Sequence, residues 1–270
     1  MAPWVESFGV LLLAGVGVGV GAWFSRRPGQ WWLVGYFIPF VMAVLYAIGV
    51  RYAVVGFTPP VSWMLAGRTR FAIMGVIATM VLTAPLSRLP RKRDRVVVAL
   101  LMAVIVCLVS VWPFLAPAFN YRQLAELKTR IDADGVCLQN TDYTCGPAAA
   151  VTALRRLGFE AEEGELAILA HTTAATGTPP DVLAATLMKR YGHEGLVCDY
   201  RLFGDVSELK SCGPTLAVVK FNLILDHYVT VLAIRGDKVV VADPLRGMTE
   251  MSSRDFGEIW RYCGVTLSRK

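Results

Sequence analysis

The chain has 270 residues, long enough for more than one domain, and 55% of them are hydrophobic. A mean hydropathy of +0.50 argues against an ordinary soluble protein and for a membrane portion. The net charge of +6 is uneven: residues 1–120 carry 10 Lys+Arg against Glu6 and Asp94, residues 121–270 carry 17 against 19, so the excess sits in the apolar half and a nucleic-acid reading loses its main support.

Four apolar spans fill the first half. Residues 8–24 close on Arg26-Arg27, and residues 31–50 open on Trp31-Trp32 and close on Arg51-Tyr52. Residues 71–86 follow Arg68 and Arg70, and residues 96–116 follow a strongly basic loop. A crossing needs about 20 residues, and Trp, Tyr and Arg at the ends act as interfacial anchors. The third span is short unless it begins near Val61. The first could also be read as a cleaved signal, but it lacks a basic start and an A-x-A-like site. Gly15 and Gly19 form a G-x-x-x-G pair, open to two readings: a close helix contact, or glycine merely tolerated in lipid.

The loops predict topology. Arg88, Arg91, Lys92, Arg93 and Arg95 form the densest positive cluster, which the positive-inside rule places in the cytoplasm. With four spans, Arg26-Arg27 then also lies inside, and the N-terminus and the second half lie outside. Arg51, Arg68 and Arg70 would be outside, against the rule. The expected location is a bacterial inner or cell membrane, with residues 121–270 extracytoplasmic.

Tyr121 to Arg130 reads as a polar, helix-favouring stretch within a linker over 121–135, and residues 136–270 as one domain. Helices are expected at Cys145–Leu157, Glu162–His171 and Pro180–Tyr191, the last with Leu183, Leu187 and Met188 facing a core. After Gly195 the period changes. Leu196–Tyr200, Thr215–Phe221, His227–Ile234 and Lys238–Ala242 read as strands. A short helix over Phe256–Trp260, capped by Ser253, precedes a last strand near Val265. Helices first and an antiparallel sheet second is an α+β pattern.

The chemistry gathers on Gln139-Asn140-Thr141-Asp142-Tyr143-Thr144-Cys145-Gly146-Pro147. Pro147 suits a first helical turn, so Cys145 is expected at a helix N-terminus, where the dipole favours thiolate over thiol. His227 and Asp243 lie far downstream, on or beside strands, and Gln139 offers a side-chain amide. Strand register tests whether His227 and Asp243 meet. If Arg235-Gly236-Asp237 is a three-residue loop, Asp243 falls opposite Val229 and becomes a diagonal neighbour of His227 on one face. A two-residue loop without a bulge separates the faces. His171 and His193 read as bystanders, and Asp142 and Asp226 as local turn residues.

The ordered set Gln139-x5-Cys145-Gly-Pro, Asp226-His227-Tyr228-Val229 and Val241-Ala242-Asp243-Pro244-x2-Gly247 resembles the C39 family of papain-like cysteine peptidases, whose bacteriocin-processing members cut leader peptides after a Gly-Gly pair. Ser253-Arg254-Asp255-Phe256-x3-Trp260 resembles the family's end. The resemblance implies an α-helical transmembrane region followed by an α+β papain-like cysteine peptidase domain. It implies catalytic roles for Cys145 as nucleophile, His227 as its ion-pair partner and acid, Asp243 as orienter and Gln139 as oxyanion donor. It also implies a peptide or protein substrate, with a separate exporter as a candidate partner beside the lipid bilayer. No G-x-x-x-x-G-K-[ST] phosphate loop of the kind carried by transporter-fused members is present. Those members hold their peptidase domain in the cytoplasm, so resemblance and loop charge disagree on sidedness, and the charge is preferred.

The remaining cysteines do not form a C-x-x-C pair and the three His are scattered, so neither a zinc site nor a cofactor is expected. Outside the membrane, Cys137, Cys198, Cys212 and Cys263 allow up to two disulfides; the alternative is that all are reduced. Two other function classes stay open: a non-peptidase thiol acyl-transfer enzyme using the same triad, and a C39-like module that only grips a peptide.

Overall fold

The structure, a computed structural model, describes residues 3–222 and 225–270. It divides into two compact units, Met1–Phe119 and Asn120–Lys270. The first contains α1 (Pro3–Ser25), α2 (Val34–Arg51), the short α3 (Ala53–Gly56) and α4 (Val61–Leu65), α5 (Thr69–Thr83) and α6 (Lys92–Ile105). A π-helical turn at Val106–Val111 joins α6 to α7 (Trp112–Ala125), which runs on into the second unit. Four stretches are long and apolar enough to cross a membrane: Val5–Ser25, Trp31–Arg51, Thr69–Arg88 and Lys92–Ala125. Leucine, valine and phenylalanine on their outer faces remain exposed, among them Leu12, Phe37, Phe40 and Leu100.

α1 and α5 run parallel and touch through small residues. A Cβ on Gly17 would lie 2.2 Å from Thr79 Oγ1, and one on Gly21 would lie 3.0 Å from the Met80 carbonyl. Gly15 and Gly19 have nothing within 4 Å of a built Cβ, so the close contact is made by the other half of the glycine alternation. Polar bonds fix both ends of the pair. At one end Arg68 Nη1 meets Glu6 Oε2 at 2.7 Å and Nη2 donates to the Pro113 carbonyl at 2.9 Å. At the other, Ser87 Oγ donates to the Ser25 carbonyl at 2.9 Å and Arg88 Nη2 to the Arg27 carbonyl at 2.9 Å.

The second unit opens on an antiparallel pair, β1 (Arg130–Ile131) and β2 (Cys137–Leu138). The helix through Tyr121 stops at Ala125, and Arg130 belongs to a strand. Next come α8 (Cys145–Arg156), α9 (Glu163–Leu169) and α10 (Pro180–Tyr191), then β3 (Leu196–Leu202), β4 (Thr215–Lys220), β5 (Asp226–Arg235), β6 (Lys238–Asp243), β7 (Gly247–Ser252), α11 (Ser253–Ile259) and β8 (Trp260–Arg269). The six longer strands form one antiparallel sheet in the order β3-β8-β4-β5-β6-β7. On one face α8 is buried from Gly146 to Leu154, and Thr230 Oγ1 donates to the Ala149 carbonyl at 2.8 Å. On the other, Val219, Val229, Val231, Val239, Val241, Phe256 and Trp260 form an apolar cluster.

Three local expectations are corrected. Ser252, not Ser253, caps α11, its hydroxyl accepting from the Asp255 N–H at 3.0 Å. Trp260 starts β8 instead of ending the helix. Leu183 and Leu187 are fully buried, but Met188 is 39% exposed and instead accepts the Cys198 N–H at its sulfur.

The β5–β6 hairpin resolves the register question. Arg235 pairs with Lys238, so the turn has two residues, Gly236-Asp237, with Gly236 at φ 62. Glycine with positive φ at the first central position suits a tight hairpin. Such a turn alone would put His227 and Asp243 on opposite faces. The register shifts between Val231 and Ala233, so Thr230 pairs with Ala242. One extra residue on β5 therefore restores Asp243 to a place opposite Val229.

The glycine contact gives a direct test of the first unit. Gly17→Leu should destabilise the detergent-solubilised chain by about 1–3 kcal/mol, as overpacking does, whereas Gly15→Leu should leave the thermal unfolding midpoint near that of the parent. Equal effects at both positions would refute the packing described.

Candidate active site

Cys145 is the first residue of α8 and is half-buried. The chain enters the helix through a tight turn in which the Thr144 N–H donates to the Thr141 carbonyl at 3.3 Å. The Thr144 hydroxyl turns back to Thr141 as well, donating to its carbonyl at 3.2 Å, so no side chain caps α8. The first-turn N–H groups thus keep their positive potential beside the Cys145 sulfur. Gly146 is closely approached: a Cβ would sit 3.2 Å from Thr178 Cβ and 3.4 Å from Tyr228 Cδ2. Tyr228 Oη donates to the Thr178 carbonyl at 2.9 Å, and the Thr172 and Thr178 hydroxyls share a hydrogen bond of 2.7 Å. The 172–178 segment is thereby fixed against the helix start.

His227 lies at the head of β5, 6% exposed, and its Nε2 meets Asp243 Oδ1 at 2.8 Å. The same oxygen accepts the Leu245 N–H at 2.8 Å. The Cys145 side chain lies close enough to the ring to act on its charge. With Nε2 committed to Asp243, the ring nitrogen left for sulfur is Nδ1. Burial opposes the imidazolium, but the bond to Asp243, the nearby Cys145 and the charges of both outweigh it and raise the His227 pKa to about 9. For Asp243, burial pushes upward; the bonds from His227 and Leu245, with the charges of His227 and Arg246, hold its carboxyl below the usual range.

Gln139 reaches this region by its backbone. Its N–H donates to the Pro244 carbonyl at 3.0 Å, next to Asp243, and its carbonyl accepts from Arg130 at 3.1 Å. The side chain is buried, and Nε2 donates to the Thr141 carbonyl at 2.8 Å. Oε1 is buried without a hydrogen-bond partner. Turning the amide over would set Oε1 against another carbonyl oxygen, so the orientation is fixed by its neighbour. An amide carries two N–H donors, and Thr141 takes one of them.

A residue that the sequence did not single out holds this approach segment. Glu163, at the start of α9, is fully buried. Its Oε1 accepts the Asn140 N–H at 2.9 Å and its Oε2 accepts Asn140 Nδ2, while its own N–H donates to Thr129 Oγ1 at 2.9 Å. Asn140 Nδ2 also donates to the Lys128 carbonyl at 2.9 Å. The only sequence signal was an acidic residue in a first helical turn, which ordinarily marks nothing beyond the dipole.

Five other cysteines lie along the chain. None is paired. Burial pushes the thiols of Cys137 and Cys198 up to about 12 and that of Cys263 to about 11, which suppresses the nucleophilic thiolate. His193 lies exposed beside Glu194, and Asp226 is held by Arg261 at 2.7 Å. Among the described residues no group of three or more His, Cys, Asp or Glu could hold a metal ion.

Comparison with known proteins places this domain. An uncharacterized protein of Methanothermobacter marburgensis is 28% identical over 138 residues, 51% of this chain and 91% of its own length. One from Methanothermobacter thermautotrophicus is 27% identical over 134 residues, 50% and 88% of the two chains. Among solved structures, the peptidase domain of Streptococcus ComA, a bi-functional ABC transporter involved in quorum sensing, is 20% identical, covering 49% of this chain and 96% of its own, with a TM-score of 0.44. A double glycine motif protease from an AMS/PCAT transporter, in complex with the leader peptide, is 15% identical, covering 54% and 96%, with a TM-score of 0.43. Residues 134–270, half of the chain, match the sequence profile of the Peptidase C39 family, and the chain belongs to that family.

Proposed function

We propose that the protein is a membrane-anchored cysteine peptidase in which Cys145, His227, Asp243 and Gln139 carry the chemistry. The observation that supports this most is the placement of one imidazole between a thiol at an uncapped helix start and a partly buried carboxyl group. The Cys145 thiolate attacks the scissile carbonyl and forms the C–S bond. Charge developing on the carbonyl oxygen is met by the Cys145 backbone N–H and the second N–H of Gln139; one such donor is typically worth about 3–4 kcal/mol. The His227 imidazolium gives its proton to the amine as the C–N bond breaks. The neutral imidazole then takes a proton from water, whose oxygen displaces sulfur from the acyl-enzyme. Asp243 holds the ring's orientation throughout. The substrate class we assign is a peptide or protein, with leader-peptide cleavage at a Gly-Gly type site as the specific form. A separate exporter is a candidate partner.

We further propose that the four apolar stretches anchor the chain in a bacterial inner or cell membrane, with the peptidase domain extracytoplasmic. The two basic loops support one common side, because Arg88 bonds to the Arg27 carbonyl at the same end of the α1–α5 pair. Arg68, a positive residue expected on the opposite side, is neutralised by Glu6. The fourth stretch begins at Lys92 beside the basic loop and so ends on the other side.

Three outcomes test these readings. Cys145→Ser and His227→Ala should each abolish peptide turnover while circular dichroism stays that of the parent. Gln139→Ala should lower kcat about 100-fold with little change in KM, because its contact strengthens only as the oxyanion forms. Unchanged cleavage by the Cys145 variant would remove the peptidase reading.

The pH behaviour follows from His227. Its value of about 9 lies above the ordinary 6.5, so the stabilisation from its charged form is complete below about 6.5 and is lost as pH rises through about 9. With only three histidines in the chain, a ring titration by NMR should show one midpoint near 9, moved down by Asp243→Asn. Three midpoints near 6.5 would mean that the ring is not held as described.

A reporter that fluoresces only in the cytoplasm, fused after Lys270, should stay dark, and one active only outside should work. Cytoplasmic fluorescence would reverse the sidedness.

A further inference from the structure

The ring of Phe221 lies 5.8 Å, centroid to centroid, from that of His227, tilted by 51°, yet Phe221 is 57% exposed. A large aromatic side chain left open against the imidazole is not explained by the catalytic chemistry. It follows Lys220, the last residue of β4, which pairs with Asp226 on β5. The Phe221 and Asn222 N–H groups both donate to the Leu225 carbonyl, at 3.0 and 3.1 Å, and the Leu225 N–H donates to Asn222 Oδ1 at 2.8 Å. Phe221 is therefore held at the mouth of the hairpin by backbone bonds and does not fold into the core.

The chemistry decides what meets it. His227 delivers a proton to the leaving amine, so that nitrogen comes within about 3 Å of the imidazole. The next two atoms outward are Cα and Cβ of the residue after the scissile bond, the first bond being about 1.46 Å. Its side chain thus starts beside the imidazole, within reach of a ring 5.8 Å away. Charges nearby are already engaged: Asp226 accepts both Nε and Nη2 of Arg261, at 2.9 and 2.7 Å, and Lys220 Nζ donates to the Glu258 carbonyl at 2.9 Å. Leu225, in the same turn, is 58% exposed. Asn222 Oδ1 is engaged within the turn, so among the described residues here Phe221 and Leu225 offer open apolar side chains.

We infer that Phe221 walls a subsite for the residue immediately after the scissile bond and that this subsite selects a large apolar side chain. The inference rests on the peptidase reading and adds the leaving-side preference to it.

The test uses the full chain in detergent micelles with a digest-derived peptide library, scoring new N-termini by mass spectrometry and taking Cys145→Ser as the blank. Cys145-dependent cuts should be followed mainly by Leu, Ile, Met or Phe. One well-cut peptide is then remade with Leu or Ala at that position. The parent should favour Leu over Ala by about tenfold in kcat/KM, the size of effect expected for a few methylenes in an apolar site. Phe221→Ala should bring that ratio near one, and Phe221→Leu should keep most of it. Cys145-dependent cutting without the preference, or a ratio that Phe221→Ala leaves intact, would overturn the subsite while the peptidase reading stands. No Cys145-dependent cutting in the library would overturn both.

Discussion

The tight turn between β5 and β6 and the bulge within β5 together set which side chains share a face. Side chains alternate faces along a strand, so a one-residue change in register moves a residue to the other side of the sheet. The Gly236-Asp237 turn sets one register, and the shift between Val231 and Ala233 sets another nearer the site. Only the second brings Asp243 round to His227 at 2.8 Å. The bulge costs ladder regularity in the middle of a buried strand, and on both sides of it Val231, Val239 and Val241 keep to the same apolar cluster. The extra residue falls between the turn and the Val231–Val241 pair, so the valines on the site side of the bulge and the ion pair share one register.

A second constraint, the start of α8, sets Cys145 beside the His227–Asp243 pair. An N-terminal cap normally satisfies first-turn N–H groups. Here the Thr144 hydroxyl turns back to Thr141, and the helix start is left without a side-chain cap. The approach segment is stabilised from elsewhere: Glu163 binds Asn140 twice, and Gln139 is tied to Pro244. A buried carboxyl group with no other partner costs free energy, so the Asn140 bonds that offset this cost also hold the segment in one place. The Gly146 contact with Thr178 and Tyr228 closes the other side.

Much of this was legible in the sequence because it depends on residue type and order. The helix at Cys145, the long strands and the four apolar stretches follow from a proline suited to a first helical turn, periodicity and length. The rest was hidden for specific reasons. Nothing in the run Val229–Ile234 marks a bulge, since it contains no glycine and is apolar or β-branched throughout. β7, Gly247–Ser252, is an edge strand whose Thr, Glu and Ser dilute the alternation. The pair β1–β2 is two residues long on each side, too short for any period. Glu163 looked like an ordinary helix-start acid. In the first unit, alternate glycines gave two G-x-x-x-G rows, and the sequence carries no sign of which row meets α5.

Thiol chemistry separates the cysteines more sharply than position does. Cys137 and Cys263 are buried where small apolar side chains pack well. Burial raises their pKa values, and that of Cys198, so far that the thiolate is scarce at neutral pH. Cys145 instead meets an imidazole and the positive end of a helix. Burial also opposes the charge on His227, yet that group stays charged to higher pH because its two ring nitrogens each have a partner that rewards the proton. At His227 and Asp243 the mutual bond and opposite charges outweigh the desolvation that burial imposes, so each group is held in its charged form by the other.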